Sequence, residues 1–367
     1  MIFWGKNVSL GAVCTSLLFT GCYTLKQGYQ QARLLVGAQP VSEVLQKGLE
    51  TPERLAKLRR VPQILEFAKK TLLLNVGKSY SKYISLDTAS VTYIVQAAEK
   101  RRLKQKTWWF PFVGSQPYLG FFAKNDALAF RKQLIEDGYD TSLGGVRAFS
   151  MLGYVADPIY SSMLDGQSVP ELAEVLIHEL THATLYVPGF SAFNENLANF
   201  VGARGAALFL GEHSDVGVSS AEFSKTVAQS LSAQKKFGMY LEQTKASLEK
   251  FYTSAEQNAD WVVSDELFLR ARDQVFNDIA LGYPQFMGGA EKGTDYEGAF
   301  SRERLNNATV LGYALYEAHQ DIFEHLFERA GKSVPHFLDM VRECVRLKPE
   351  SEADLWARIK NCGEKKL

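Results

Sequence analysis

The stretch VLIHELTHATLYV, residues 175–187, places two histidines in an otherwise apolar run and constrains the fold more than any other segment. Upstream, Ser168 and Glu171 form a capping box, which predicts that a helix begins here. The pair Pro188 and Gly189 predicts where this helix ends. The two histidines are therefore expected on one well-delimited helix.

This helix has two different faces. An apolar stripe at spacings of three and four residues predicts the buried face: Leu172, Leu176, Leu180, Ala183 and Val187. His178 and His182 lie on the opposite face, about 40° apart and one turn along, so both imidazoles can reach one ion. The alternative is a core helix that carries two unrelated imidazoles.

The residue types fit a catalytic zinc site. Zinc in such a site takes three protein ligands and keeps one position open for water, and His178 and His182 supply two of the three. Glu179 is placed to take a proton from that water as general base, so the motif H-E-x-x-H reads HELTH. A third ligand is needed to support this interpretation.

The segment FNENLANF, just beyond the predicted helix end, contains a candidate third ligand. A tight turn and a second, antiparallel helix would bring the Glu195 carboxylate back over the two imidazoles. Asn199, one turn further along, is placed to accept a hydrogen bond from the other ring nitrogen of a ligand histidine. Gly202 and Gly205 predict a close backbone approach between the two helices.

The N-terminus has the pattern of a secretory signal. The run from Val8 to Thr20 is apolar and too short to span a bilayer. Thr20 and Gly21 directly before Cys22 resemble the lipobox of bacterial lipoproteins, in which a signal peptide, here residues 1–21, is removed and the cysteine receives acyl chains. The alternatives are an uncleaved anchor and an ordinary secretory signal.

The lipobox resemblance implies a bacterial envelope protein whose membrane contact is a lipid on Cys22. Tyr23 after the cysteine, instead of Asp, implies the periplasmic face of the outer membrane. Residues 22–35 are then predicted to be a polar tether. In an oxidising compartment, Cys344 and Cys362 are candidates for a disulfide.

A chain of 367 residues, 46% of them hydrophobic, can form one large domain or two closely packed ones, and a single domain is predicted over residues 36–367. Lys plus Arg and Asp plus Glu number 41 each, so no overall field draws the chain to nucleic acid. The basic run from Lys100 to Lys106 is expected in a solvated loop, with a contact to anionic lipid as the alternative.

The first part of the domain, residues 36–165, is predicted to be α/β. Strands are expected in SVTYIVQ, TWWFPFVG and GGVRAFSML. One helix is expected after Thr51, with a kink or break at Pro62. A second is expected to begin after an Asn125 or Asp126 cap and to end at Gly138.

Residues 166–367 are predicted to be mainly helical. Apolar residues recur at helical spacings in segments 220–253, 297–330 and 334–347. Strands followed by helices favour an α+β fold, with a small antiparallel sheet before a helical region.

The two helices around the motif resemble those of the gluzincins, thermolysin-like metallopeptidases in which H-E-x-x-H is followed by N-E-x-x-A/S-D. In this chain the second element reads NENLAN, with Asn199 at the place of the usual Asp and a shorter gap between the helices. The resemblance implies a zincin-like fold for the helical region.

A closer resemblance covers nearly all of the chain. The segments WWFPFVG, YLGFFAKNDALAFRKQLIEDGYD, LIHELTHATLYV, FNENLANFVGARG and LNNATVLGYALY are similar to those of the bacterial putative aminopeptidase family. This resemblance implies a zinc peptidase with one Zn²⁺ on His178, His182 and Glu195, and with Glu179 as base. No G-x-M-E-N exopeptidase signature is present.

An oxyanion donor is also expected, and the family pattern implies Tyr316, with Tyr186 and His319 as further candidates. The alternative for each tyrosine is packing in a helical core. The segment GGVRAFSMLGYVADP is a candidate edge strand for an extended peptide, with Trp108 and Trp109 as pocket or core residues. The remaining histidines have no ligand spacing and are expected at the surface or in the core: His213, His325 and His336.

The sequence thus favours a lipid-anchored zinc peptidase, an aminopeptidase, that acts on peptide substrates. Two alternatives remain open at this point. One is a non-catalytic scaffold or binding module in which zinc joins two helices, and the other is a metal-dependent amidase that acts on cell-wall peptides.

Overall fold

In the described residues, the strands are short and lie in the first half of the chain. The computed structural model describes residues 10–110, 114–148, 156–213, 220–294 and 296–362, and for residues 10–22 and 220–228 it describes the backbone alone. Within these ranges the strands are β1 Gln39–Pro40, β2 Lys82–Ile84, β3 Thr92–Ala98, β4 Trp108–Phe110, β5 Gly114–Gln116, β6 Tyr118–Phe121, β7 Asp140–Val146 and β8 Ile159–Tyr160.

Helices make up most of the remaining structure. In chain order they are α1 Leu10–Val36, α2 Val41–Lys47, α3 Pro52–Leu58, α4 Val61–Lys70, α5 Lys124–Glu136, α6 Val169–Thr184, α7 Ser191–Glu212, α8 Ser220–Gln257, α9 Ala259–Val263, α10 Asp265–Met287, α11 Asn307–Glu317, α12 Gln320–Arg329, α13 Val334–Val345 and α14 Glu352–Lys360. In the part of the chain described here, no helix has both the length and the apolar character needed to cross a membrane.

The strands form three small sheets. The central one has the order β6–β3–β7 and is antiparallel, with Val95 paired to both Leu119 and Leu143. Strands β4 and β5 pair antiparallel, and the third sheet has the order β1–β2–β8, with a parallel pairing between β2 and β8. The α+β prediction is confirmed, although the single sheet expected from the sequence is divided into three.

The central sheet is covered on both faces. Val95, Leu119 and Phe121 pack on one face in a small core that includes Leu134 of α5. The other face receives α11, where Gly312 lies directly against the Gln96 side chain. Because α11 also packs on α7, it joins the sheet to the helical region.

Two larger cores hold the helices together. The first joins α2–α4, α6, α7 and α12–α14 around buried phenylalanines, among them Phe193, Phe209, Phe323 and Phe337. The second joins α8, α10 and α11 around Phe237, Phe268, Phe276 and Phe300. The helix pair α6–α7 belongs to the first core and lies close to the central sheet through α11.

Several boundaries differ from the sequence predictions. Helix α5 begins after Ala123, because Asn125 and Asp126 occupy its first turn instead of capping it. It ends at Glu136, two residues before the predicted end at Gly138, whose φ is +87°. The break near Pro62 falls before that proline, which lies in the first turn of α4.

Two predicted segments are longer than the elements that the structure describes. Strand β7 ends at Val146, and much of the remaining GGVRAFSMLGYVADP segment lies in residues 149–155, outside the described residues. Helices α8, α12 and α13 confirm the helical periodicity, but residues 297–306 form turns that precede α11.

Residues 22–35, predicted as a polar tether, are helical and belong to α1. The basic loop is confirmed between β3 and β4, but Arg101 is not simply solvated: it pairs with Asp265 and lies 4.2 Å from the Phe268 ring centroid. Cys344 and Cys362 form a disulfide, with Cα atoms 5.9 Å apart.

Candidate metal centre

Helix α6 forms as its sequence predicts. The Ser168 backbone N–H donates to Glu171 Oε2 at 2.5 Å, and the Glu171 N–H donates to Ser168 Oγ at 3.4 Å, which completes the capping box. Leu172, Leu176 and Leu180 are buried. The hydrophobic stripe therefore fixes the rotation of α6, and His178 and His182 face away from the leucines.

Asn194 of α7 holds the connection between α6 and α7 through hydrogen bonds to the Val187 backbone. The Val187 N–H donates to Asn194 Oδ1 at 2.8 Å, and Asn194 Nδ2 donates to the Val187 carbonyl at 2.9 Å. Asn194 is buried, and these two bonds give both its amide oxygen and its amide nitrogen a partner. Because Glu195 is the next residue, this closure sets where its carboxylate projects.

The predicted close approach of the two helices is confirmed. A Cβ atom at Gly202 would lie 3.0 Å from the Glu174 carbonyl oxygen and 3.3 Å from His178 Cβ. At Gly205 a Cβ would lie 2.9 Å from Ile177 Cγ2. Glycine is required here because larger residues would push α7 away from the helix that carries the histidines.

Three side chains converge between the helices. Nε2 of His178 and Nε2 of His182 are 3.2 Å apart, and Glu195 Oε2 lies 3.5 Å from each. Zinc binds such atoms at about 2.0–2.2 Å, so the donors of a tetrahedral site lie about 3.3 Å apart. The spacing of the three donor atoms therefore matches that of a zinc site.

The negative charge of Glu195 and the positive charge of a protonated imidazole stabilise each other. Burial raises the pKa of Glu195, but the imidazoles of His182 and His178 outweigh it and hold this pKa well below its usual range. Burial lowers the pKa of His178, while Glu195 and Glu179 more than offset this and raise it. Burial raises the pKa of Glu179, against the opposing effect of the two imidazoles.

Asn199 lies behind His178. Its Nδ2 donates to the Tyr316 carbonyl at 3.0 Å and to Glu317 Oε1 at 3.4 Å. Its side chain also hydrogen bonds to His178. Since the amide N–H groups are directed at Tyr316 and Glu317, the Oδ1 atom is left to accept from the imidazole.

Two tyrosines, Tyr118 and Tyr316, interact with the Glu195 carboxylate. The Tyr118 hydroxyl, on β6, lies 3.5 Å from Glu195 Oε1. Burial and then the Glu195 charge raise the pKa of both Tyr118 and Tyr316 well above its usual value. Tyr186 is near Tyr118 and lies 3.5 Å from Gln116 Nε2. The hydroxyls of Tyr118 and Tyr316 are therefore protonated at neutral pH and can donate hydrogen bonds.

A second group of residues lies beside Glu179. Tyr80 is buried and has a φ of 65°, a left-handed conformation that is uncommon for a bulky residue. Its N–H donates to the Asp157 carbonyl at 2.5 Å. Charge interactions join Tyr80, Tyr160 and Asp157 to Glu179. Residue spacing does not predict this group, because Tyr80 lies far in sequence from Asp157 and from Tyr160 of β8.

Other candidates lie elsewhere. The His319 ring is 4.1 Å from Trp356, so it packs on α14. His213 stacks on Phe209, while His325 and His336 are exposed, as predicted. Trp108 packs against Phe130, but Trp109 is 62% exposed and is not a core residue.

Comparison with known proteins adds a family to this geometry. Residues 22–355 match the model of a family described as putative aminopeptidases, and the chain belongs to that family. The family description implies peptidase activity. No curated protein and no solved structure matches the chain.

Proposed function

We propose that this protein is a zinc-dependent aminopeptidase. The observation that carries the proposal is the convergence of His178, His182 and Glu195, whose ligand atoms all lie within 4.8 Å of one another. Two imidazole nitrogens and one carboxylate oxygen are a donor set used by catalytic zinc in peptidases. Family membership supports the peptide substrate.

A set of three protein ligands also leaves a metal coordination position for water or substrate. In the described residues, the cluster that could hold a metal contains three side chains and no fourth histidine, cysteine or carboxylate. A catalytic zinc ion with three protein ligands polarises a substrate carbonyl and lowers the pKa of water. This arrangement favours a catalytic over a purely structural site.

Glu179 then performs the proton transfers. It takes a proton from the attacking water as the water oxygen bonds to the scissile carbonyl carbon. When the carbon–nitrogen bond breaks, Glu179 returns this proton to the leaving amine. The Tyr316 hydroxyl, protonated at neutral pH, is the proposed donor to the oxyanion.

We also propose that a lipid on Cys22 holds the protein at the periplasmic face of the bacterial outer membrane. The support is the sequence pattern at residues 8–22. Replacement Cys22→Ser should abolish incorporation of labelled palmitate and release the protein from the membrane fraction. Retention of the label in the variant would contradict this assignment.

The experiment that tests the proposed activity is digestion of a peptide library by the purified full-length protein, read by mass spectrometry. We expect stepwise loss of N-terminal residues, inhibition by 1,10-phenanthroline and recovery on addition of zinc. A protein that binds zinc but hydrolyses no peptide would favour a scaffold, and one that cleaves only cell-wall peptides would favour an amidase.

A further inference from the structure

The outer edge of strand β6 begins beside the metal centre. β6 is the last strand on its side of the central sheet, and Tyr118 at its start reaches Glu195. An extended peptide can add to such an edge through backbone hydrogen bonds, and antiparallel pairing is the more stable arrangement. The edge of β6 is therefore a suitable place for a substrate to lie.

Helix α1 already covers the far end of this edge. The Tyr23 hydroxyl donates to the Gly120 carbonyl at 2.5 Å, and the Phe122 N–H donates to Gln27 Oε1 at 3.2 Å. Gly120 and Phe122 are two residues apart, so these groups project from the same side of the strand. The two α1 side chains thus bind the backbone groups that a peptide would use.

The contact is more than two hydrogen bonds. Tyr23 packs edge-on against Phe121, with ring centroids 5.4 Å apart, and burial raises the pKa of its hydroxyl to about 12. Lys26 pairs with Asp126 of α5 at 2.8 Å. Residues 23, 26 and 27 lie on one helical face, so this turn of α1 docks through several side chains at once.

The direction of β6 determines which end of a peptide this docking limits. The strand runs from Tyr118, beside the metal centre, toward Gly120 and α1. An antiparallel peptide would run the opposite way, so its amino-terminal residues would meet α1. Gly120 is about 7 Å beyond Tyr118, which leaves space for only about two residues before the cleaved bond.

We propose that α1 blocks the edge of β6 and so limits the number of substrate residues that can lie on the amino-terminal side of the cleaved bond. This block makes the enzyme an exopeptidase. This inference rests on the proposed function. It places the specificity in Tyr23 and Gln27, not in a pocket for the α-ammonium group, and it requires no G-x-M-E-N signature.

The test compares the cleavage maps of one long peptide in two forms. One form has a free amino terminus, and the other carries an acetylated extension at that terminus. The full-length protein should release one or two residues from the free peptide and leave the extended one intact. The double variant Tyr23→Ala, Gln27→Ala should cut the extended peptide internally at least about tenfold faster than wild type. Tyr29→Ala is the matched control, because Tyr29 lies on α1 and is 70% exposed.

Hydrogen exchange shows independently whether the edge has been freed, because the Phe122 amide should exchange faster in the double variant and not in the control. Identical cleavage maps despite faster exchange would overturn the inference and leave the proposed function intact. Internal cuts by the wild type would also overturn it. A wild-type protein that hydrolyses neither peptide would overturn both.

Discussion

The Tyr118 hydroxyl lies 3.5 Å from Oε1 of Glu195. The other carboxylate oxygen, Oε2, lies 3.5 Å from Nε2 of His178 and of His182. Tyr118 thus contacts one carboxylate oxygen while the other oxygen contacts both imidazoles. This contact orients the carboxylate toward the imidazoles. Groups in this position commonly affect metal affinity by about 10–100-fold.

Replacement Tyr118→Phe should therefore weaken zinc binding by about tenfold or more, because the carboxylate loses the donor that orients it. Competition with a chromophoric chelator measures this affinity. Tyr313→Phe is the control, since its hydroxyl donates to the Ala299 carbonyl at 2.9 Å within a different core. Equal zinc affinity in Tyr118→Phe and wild type would show that Tyr118 has no such role.

Tyr316→Phe should behave differently. The hydroxyl is proposed to stabilise the oxyanion and not a metal ligand, so zinc content should stay unchanged. Loss of one oxyanion donor lowers kcat by about 100–1000-fold, with a smaller effect on KM. Steady-state kinetics on a peptide with a free amino terminus measures both constants, and unchanged kcat would assign Tyr316 to packing alone.

The contact of Gly202 with α6 predicts an effect on stability. Gly202→Val should lower the free energy of unfolding by about 2 kcal/mol, because the new side chain meets the Glu174 carbonyl and His178 Cβ. Gly211→Val is a matched control on the same helix, where a Cβ atom meets nothing within 4 Å. Its effect should stay within about 0.5 kcal/mol. Urea unfolding that gives equal values for both variants would contradict the close approach.

The disulfide Cys344–Cys362 links α13 to the residues that follow α14. Closing a loop of this size stabilises a folded chain by about 3 kcal/mol in the chain-entropy description. The double variant Cys344→Ala, Cys362→Ala should therefore unfold at a lower temperature, while peptide hydrolysis at 25 °C stays close to wild type. Thermal unfolding with and without a reductant gives the same comparison, and a Tm that does not respond to either change would contradict it.

The helix that carries the motif is well predicted because its signals are local. Ser168 with Glu171 marks the start of α6, and the leucine stripe fixes which face is buried. The return to Glu195 is also short range, since Asn194 closes the turn with bonds to Val187. For this reason the three candidate ligands follow from spacing.

Tyr118 and Tyr80 did not follow from spacing. They come from a strand and a loop far from the motif in sequence, and only the packing of the sheet and α6 brings them to Glu195 and Glu179. The docking of α1 was missed for a related reason. The sequence around Tyr23 and Gln27 is typical of a polar tether. Only the structure shows that the edge of β6 lies beside these two residues.

The most direct test of the proposed zinc peptidase is the replacement Glu179→Gln, with zinc content and peptide hydrolysis both measured on each purified protein, variant and wild type. Glutamine preserves the shape of the side chain but cannot accept the proton from the attacking water. We expect one zinc ion per chain in both proteins and a loss of about 100-fold or more in kcat for the variant. A Glu179→Gln variant that retains full peptidase activity would show that Glu179 is not the general base.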